Sequence, residues 1–295
     1  MKVLVTGAAG KLGSVVCKTL HDKGFDVRAT DRRFRADIPV PLELADLTDE
    51  LVAYRLLQGC EALVHLGNYP SMHSGPTLPT VLADNVRMNT NYFCAAVDLG
   101  LPRLVFASSV QVMLPFQWPR PAQHSIAYLP LDGDAPRNPG YNPYALSKES
   151  AERLLEVIAA SHPKVACTAL RFPGLRDTDD LERAKRWKNG FPRRWANFGE
   201  GLSHLFLDDA AELVACVLQN QKPGYHQYFP AVSPDFSNGT LADLVREEYG
   251  DVPLRKPLAE LSSLIDIEAI TRALGWKPTR RMNLNLAPSE PDDKD

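Results

Sequence analysis

Three features of the sequence predict an α/β fold built on a doubly wound parallel sheet. The first is the opening stretch, where the apolar run Val3-Leu4-Val5 leads straight into glycines at 7, 10 and 13. Such a run suits a strand buried on both faces. The glycine spacing suits a turn from that strand into a helix: Gly7 permits the tight turn, Gly10 admits a pyrophosphate close to the backbone, and Gly13 lets the helix lie against the sheet. The second feature is an unbroken alternation of strand-like and helix-like segments to about residue 170, the pattern of βαβ units. The third is that successive strand-like segments end in Gly7, Asp31, Gly67 and Ser108-Ser109, small or polar residues on the edge where such sheets place ligands. Together they predict a Rossmann-type sheet with a small C-terminal α/β substrate lobe.

The elements follow in order. Residues Ser14 to Lys23, with Leu12, Val15, Val16 and Leu20 at helical spacing, predict a helix whose first N–H groups face a diphosphate. Gly7, Gly10, Lys11, Leu12 and Gly13 are therefore expected in the cofactor loop. Asp26 to Asp31 reads as the second strand. An acid about twenty residues past the glycines accepts bonds from the adenine ribose hydroxyls and repels a 2′-phosphate, so NAD is expected over NADP. Arg32, Arg33 and Lys11 pull the other way, since cations there suit a 2′-phosphate. Leu42 to Leu47 is a short strand followed by a helix through Leu57, and Ala62 to Gly67 is another buried strand. Asp46 and Leu47 are expected at the adenine, and Leu66, Gly67 and Asn68 at the middle of the dinucleotide. His65, inside its strand, is expected to be a hydrogen-bonded core histidine and not a ligand.

A loop over 69–80, a helix over 81–99 and a strand Arg103 to Ser109 come next. Residues 113–143 form a long loop whose aromatics (Phe116, Trp118, Tyr128, Tyr141) argue for order. The helix Tyr144 to Ala160 and the strand Val165 to Arg171 complete the first unit. Residues 172–203 are irregular and basic, and Leu207 to Leu218 is helical again. The expected organisation is a dinucleotide-binding domain over 1–171 with 204–222 returning to it, a substrate-binding lobe from 172–203 and 223–286, and a disordered acidic tail over 287–295.

Composition narrows the function classes. The chain has 295 residues, 44% of them hydrophobic, enough for a full core. A net charge of −3 carries no polyanion-binding signature, so no nucleic-acid partner is expected. No apolar run reaches membrane-span length and the first residues lack a signal-peptide layout, so no membrane association is expected. The five cysteines are odd in number, widely spaced and set among apolar residues, which suggests reduced core thiols, no metal site and a cytoplasmic protein.

The chemistry centres on Tyr144-Ala-Leu-Ser-Lys148. Four-residue spacing puts both side chains on one helix face. A free phenol titrates near 10; a nearby ammonium that lowered it by two to three units would have to supply about 3–4 kcal/mol. Tyr144 then takes a proton from a substrate alcohol as hydride leaves for the nicotinamide. Lys148 also holds the nicotinamide ribose, and Ser109 at the neighbouring strand end orients the same hydroxyl.

With these motifs in place the chain resembles the extended short-chain dehydrogenase/reductases, the NAD-dependent epimerase/dehydratase family, over residues 1 to about 281. The matching residues are Thr6 to Gly13, Asp31, Asp46-Leu47, His65-Leu-Gly67, Asn85-Val86, Ser108-Ser109, Tyr144 with Lys148, Leu170-Arg171, Gly199-Glu-Gly201, Asp208-Asp-Ala210 and Leu274 to Pro278. The resemblance implies a catalytic triad of Ser109, Tyr144 and Lys148, and cofactor contacts at Ser108 and Asn85. It also implies that Phe172 and Pro173 line the nicotinamide site, and a homodimer through the helices near 85–99 and 144–160.

Three departures bear on the substrate. Sugar-nucleotide dehydratases of the family follow the catalytic hydroxyl with Asp-Glu, where this chain has Val110-Gln111, so dehydration is not expected. Nucleotide-sugar enzymes commonly place asparagine where Gly174 stands, and an arginine beyond Gly201 that this shorter stretch lacks. The gap between Ser109 and Tyr144 is about ten residues longer than usual, enough to add pocket wall. What remains is similar to family members that oxidise free sugars or sugar acids, with a nucleotide-sugar epimerase and a non-catalytic NAD(P) sensor as alternatives. Gln111, Gly174 and Arg176 are the substrate-side candidates. Arg176 heads a basic series that continues through Arg183, Lys185, Arg186, Lys188, Arg193 and Arg194, either a solvated surface or the source of one arginine that pairs with a substrate anion.

Overall fold

The structure, a computed structural model, describes residues 1–114, 126–180, 196–236 and 240–285. Its centre is a seven-stranded parallel sheet in the order β3-β2-β1-β4-β5-β6-β9. The strands are β1 (Lys2–Thr6), β2 (Asp26–Asp31), β3 (Leu42–Leu44), β4 (Ala62–His65), β5 (Arg103–Ser109), β6 (Ala166–Phe172) and β9 (Gly224–Tyr228). Chain order reverses between β1 and β4, which pair from Val3↔Ala62 to Thr6↔His65. A crevice opens beyond the strand ends at such a switch point. The doubly wound fold read from the sequence is the fold observed.

Each face of the sheet carries its own core. On one face, Val3, Val5, Val27 and Val64 pack with Val16 and Leu20 of α1 (Lys11–Asp22) and with Leu213, Val214 and Val217 of the helix Leu207–Asn220. On the other, Leu4, Leu63, Leu104 and Phe106 pack with α2 (Glu50–Leu57), α3 (Leu78–Asp98) and α4 (Pro143–Ser161). Strands that bury both faces have no polar side to show, which is why they read as continuous apolar runs. α3 begins three residues before the sequence predicts, because Thr77 caps it by accepting from Thr80 N at 3.2 Å and Pro79 fits the first turn.

A third cluster forms the lobe. Val110, Met113 and Leu114 meet Leu129 and Leu131 of the long loop, Phe198 and Leu202, and Leu244, Tyr249, Leu264 and Ile265. Two short parallel pairs brace it, β7 (Gly174–Arg176) with β8 (His204–Phe206), and β10 (Asp235–Phe236) with β11 (Asn283–Leu284). Single bridges tie Leu129 to Leu254 and Leu131 to Ile265. The lobe is thus more interleaved with the sheet domain than the expected boundaries at 171 and 223. β9 belongs to the main sheet, where it covers the edge of the wholly buried β6, and Ile270, Leu274 and Trp276 pack on the first core. Residues 126–135 of the long loop pack with the lobe instead. Phe116, Trp118, the basic series from Arg183 to Arg194 and the tail over 287–295 lie outside the described residues.

Among the described residues no helix is long and apolar enough to cross a membrane, and no group of His, Cys, Asp and Glu is placed to hold a metal ion. The five cysteines are unpaired. Burial pushes the thiols of Cys17 and Cys167 up to about 12, which keeps them unreactive.

Candidate active site

The glycine turn is shaped by steric contact. Gly7 has φ of +68°, and a Cβ there would lie 2.7 Å from Gly67 N and Leu66 C. A Cβ on Gly13 would lie 2.1 Å from Gly7 O and 2.8 Å from Ala8 Cα, so only glycine lets α1 sit this close to the turn. Gly10 faces open space apart from Gly7 O, 3.1 Å from where its Cβ would be. The first helical bond is Ser14 N to Gly10 O at 3.0 Å, and Gly10 supplies no side-chain cap. The amides of Lys11, Leu12 and Gly13 therefore precede the helical ladder and suit a diphosphate. A dinucleotide fits this cradle.

The surrounding strand ends are pinned by buried hydrogen bonds. Thr6 Oγ1 bonds His65 Nδ1 at 2.7 Å and accepts from Leu66 N and Gly67 N, while His65 Nε2 bonds Asn89 Oδ1 at 3.0 Å. His65 is stacked on Tyr92 and Phe106, and burial pulls its pKa down to about 3. It is the neutral core histidine expected of it. Asp31 accepts from Ala9 N and Arg33 N, both at 3.0 Å, which holds the acid at the end of β2 against the glycine turn. Asp46 caps its own turn through Thr48 N and Thr48 Oγ1, and Leu47 packs on Gly67.

The cations around the turn divide. Arg32 donates to Tyr69 Oη at 3.3 Å with its guanidinium 5.0 Å from the ring centre. Lys11 reaches toward Asp177 at 4.0 Å. Arg35, which the sequence analysis did not single out, pairs with Asp37 and places Nη1 3.4 Å from Ala9 O and 3.5 Å from Gly10 O. Its guanidinium thus lies against the glycine turn, a position set by the 32–41 loop that no spacing motif marks.

The triad assembles where β5 and α4 meet. Asn142 caps α4 by accepting from Tyr144 N at 3.1 Å and Ala145 N at 3.2 Å. Tyr144 shares a hydrogen bond with Ser109. Lys148 donates to Asn68 Oδ1 at 2.8 Å and Ala107 O at 2.7 Å, with its ammonium 5.7 Å from the Tyr144 ring centre. All three residues are buried. Burial pushes the Tyr144 phenol up to about 12, against the downward pull of the Ser109 bond, and pulls Lys148 down to about 7, against the pull of Glu152. The expectation that Lys148 depresses the phenol is therefore corrected for the protein without cofactor. Desolvation disfavours both charged forms and outweighs the Ser109 bond at the phenol and the Glu152 charge at the lysine.

Two expected cofactor contacts point elsewhere. Ser108 Oγ donates to Glu152 Oε1 at 2.6 Å, on the face of β5 opposite Ser109, because successive side chains alternate. Glu152, one further turn along α4 from Lys148, also receives Arg171 and Arg137. Burial raises its carboxyl, but these bonds outweigh it and hold the group below its usual value. Arg171 Nη1 in turn reaches Gly133 O and Ala135 O at 2.9 and 3.2 Å, clamping the long loop. Asn85 has its amide engaged by Tyr69 N, Tyr69 O and Ser147 Oγ, so it is a strut under the cofactor side. Phe172 and Pro173 are buried at the end of β6.

Three substrate-side candidates converge with Glu200, which the sequence reading matched to the family within Gly199-Glu-Gly201 but gave no role. Gln111 follows Ser109 and accepts from Asn142 Nδ2 at 2.9 Å. Gly174 and Arg176 lie on β7, with the Arg176 guanidinium folded over Gly174. Glu200, from the turn Phe198–Glu200, bonds the side chains of Gln111 and Asn197 and feels the charge of Arg176.

A family model described as the NAD dependent epimerase/dehydratase family matches residues 3–175. The 2-alkyl-3-oxoalkanoate reductase of Stenotrophomonas maltophilia is 25% identical over 96% of this chain and 81% of that protein. The uronate dehydrogenase of Agrobacterium fabrum is 32% identical over 52% of this chain, which spans about half of that relative's length, 54%. Among solved structures, the UDP-glucose 4-epimerase of Bifidobacterium longum with NAD+ and UDP superposes with a TM-score of 0.67 over 95% of this chain and 94% of that one, at 16% identity.

Proposed function

The chain belongs to the NAD-dependent epimerase/dehydratase family, and from that premise we propose that it is a dehydrogenase that moves hydride between NAD and a hydroxyl of a sugar or sugar acid. The observation that carries this reading is the Ser109–Tyr144–Lys148 group, buried together at the strand ends beside the glycine turn. When bound, NAD supplies the hydride acceptor. Ser109 Oγ and Tyr144 Oη share a hydrogen bond, so a substrate hydroxyl placed between them meets a donor and an acceptor at once. Lys148, fixed by Asn68 and Ala107, holds its side-chain nitrogen 5.7 Å from the Tyr144 ring centre and would bind a cofactor ribose there. Val110 and Gln111 stand where dehydratases of the family carry Asp and Glu, and neither side chain has a proton to exchange at neutral pH.

A second direction has support of its own. With its pKa near 12 the Tyr144 phenol is protonated at neutral pH, poised to donate to a carbonyl oxygen in the reductive sense. The relative that matches nearly the whole chain is named a reductase. Both directions use one site. We also infer a cytoplasmic homodimer through α3 and α4, supported by unpaired cysteines and by Leu99 and Val157 exposed at 41% and 61%. Sedimentation of the purified protein tests it, and a monomer at micromolar concentration contradicts it. The function is tested by a fluorescence screen of NAD reduction over aldoses, uronic acids and nucleotide sugars. Net NADH with a free sugar or sugar acid is expected; an isomerised nucleotide sugar without NADH would establish the epimerase instead.

A further inference from the structure

We propose that Glu200 is the specificity-determining residue of this site, its carboxylate accepting hydrogen bonds from hydroxyls of a neutral substrate and repelling a substrate carboxylate. The inference rests on the sugar or sugar-acid reading above and chooses between its two halves.

The position of Glu200 is fixed from several sides. Gln111 Oε1 is occupied by Asn142 Nδ2, so the bond between Gln111 and Glu200 runs from the Gln111 amide nitrogen to the carboxyl. Asn197 donates from the other flank. Gln111 N also donates to Ser109 Oγ at 3.2 Å, and Asn142 caps the helix that carries Tyr144. Glu200 therefore sits two hydrogen bonds from Ser109 Oγ and three from Tyr144 N, and its charge is felt at the Tyr144 phenol. The turn that delivers it is strained. Gly201 and then Leu202 adopt left-handed conformations with φ of 63° and 54°, and Ser203 N closes onto Glu200 O at 3.1 Å. A bulky leucine is rarely found there, and the buried Leu202 is held by the lobe core. The result is a glutamate turned inward, 6% exposed, beside the strand end where dehydratases of the family carry their acid.

Charge decides what the pocket accepts. Among the described residues the charged and titratable groups facing Glu200 are Arg176 of β7 and Tyr144 of α4; Gln111 and Asn197 are its neutral partners. Burial raises the Glu200 carboxyl to about 7, against the pull of Gln111, Asn197 and Arg176. Below that pH the group is a neutral acid and leaves Arg176 to meet an anion. Above it the carboxylate offsets Arg176, and a second carboxylate entering the pocket meets a like charge in a desolvated place. Arg176 alone would favour a sugar acid; Arg176 beside ionised Glu200 favours a sugar.

The test compares kcat/KM for matched aldoses and their uronic acids at pH 6 and pH 8.5, in wild type and in Glu200→Gln, which keeps the shape and the bond from Gln111. In wild type the aldose is preferred at pH 8.5, and that preference shrinks at pH 6. In Glu200→Gln the ratio shifts toward the uronic acid by at least about tenfold at pH 8.5 and loses its pH dependence. A wild-type preference for the uronic acid at pH 8.5, or an unchanged ratio in the variant, overturns the proposal. Should no sugar turn over, the sugar reading fails by itself. Charge selection is then read from bound-NADH fluorescence titrated with benzoate and with benzyl alcohol. Benzoate must bind Glu200→Gln at least about tenfold more tightly than wild type at pH 8.5, with benzyl alcohol unaffected; equal benzoate affinities overturn the proposal.

Discussion

The cofactor side and the substrate side of this crevice are built by different means. The cofactor side is a backbone surface pinned from beneath: glycines packed too closely to admit a Cβ, strand ends tied by the side chains of Thr6, His65 and Asn89, and Asp31 bonded to two amides. The substrate side is made of five side chains from four separate places, Ser109 and Gln111 at the end of β5, Tyr144, Arg176 and Glu200, joined by hydrogen bonds and charge. Backbone geometry cannot change without moving strands, whereas a side-chain set can be altered one residue at a time. Changes on the first side should therefore cost stability and cofactor affinity together, and changes on the second should alter chemistry or selectivity with the fold intact.

The largest effect expected on the substrate side is from Tyr144→Phe. It removes one hydroxyl from a buried ring and should lower kcat by about 10²–10⁴-fold while NAD affinity stays within a few-fold. Loss of NAD binding in this variant would break the comparison, because it would make the catalytic face part of the cofactor scaffold.

On the cofactor side, His65 stays neutral in the fold and takes a proton when unfolded, since its pKa falls from 6.5 to about 3 on burial. The unfolded state binds more protons between these values. Stability present above pH 6.5 is thus lost as pH falls toward 3, with a slope of up to about 1.4 kcal/mol per pH unit for this one site. Urea unfolding of His65→Gln should show that part of the slope removed, together with a lower plateau at neutral pH; an unchanged acid slope would mean that other groups control it. Gly13→Ala should cost about 1–3 kcal/mol and weaken NAD binding, because the added methyl meets backbone that cannot move independently. A variant with wild-type melting and wild-type NAD affinity would show the turn to be softer than its contacts imply. The smallest effect is expected from Asp31→Ala, which should narrow the kcat/KM preference for NAD over NADP by about tenfold as repulsion of the 2′-phosphate is lost. An unchanged preference would hand cofactor choice to Arg35, whose guanidinium already lies against the glycine turn.

The same contrast explains what the sequence revealed. Gly7, Gly10 and Gly13 encode a backbone shape through residues that lie next to one another, and Tyr144 and Lys148 share a helix face by spacing alone. Both could be read directly. Strand alternation, correctly applied, would also have separated Ser109 from Ser108, which faces Glu152. Asn142 before Pro143 is likewise a readable helix-start signal. Glu200 lies in the matched Gly199-Glu-Gly201, but nothing in that motif shows that it faces the site. It reaches Gln111 across 89 residues of chain (200 − 111) because the lobe core holds Leu202 in a left-handed turn. The direction of the phenol's shift is hidden for a related reason, since spacing shows the nearby lysine but not the burial that dominates both groups.

The measurement that bears most directly on the central claim is the amount of NADH formed when the purified protein is given NAD and a free sugar or sugar acid, alongside Tyr144→Phe. The account predicts NADH accumulating in step with oxidised product in wild type, and none above background in the variant. Conversion of a nucleotide sugar to its isomer with NAD and NADH levels unchanged, or wild-type NADH formation by Tyr144→Phe, would contradict it.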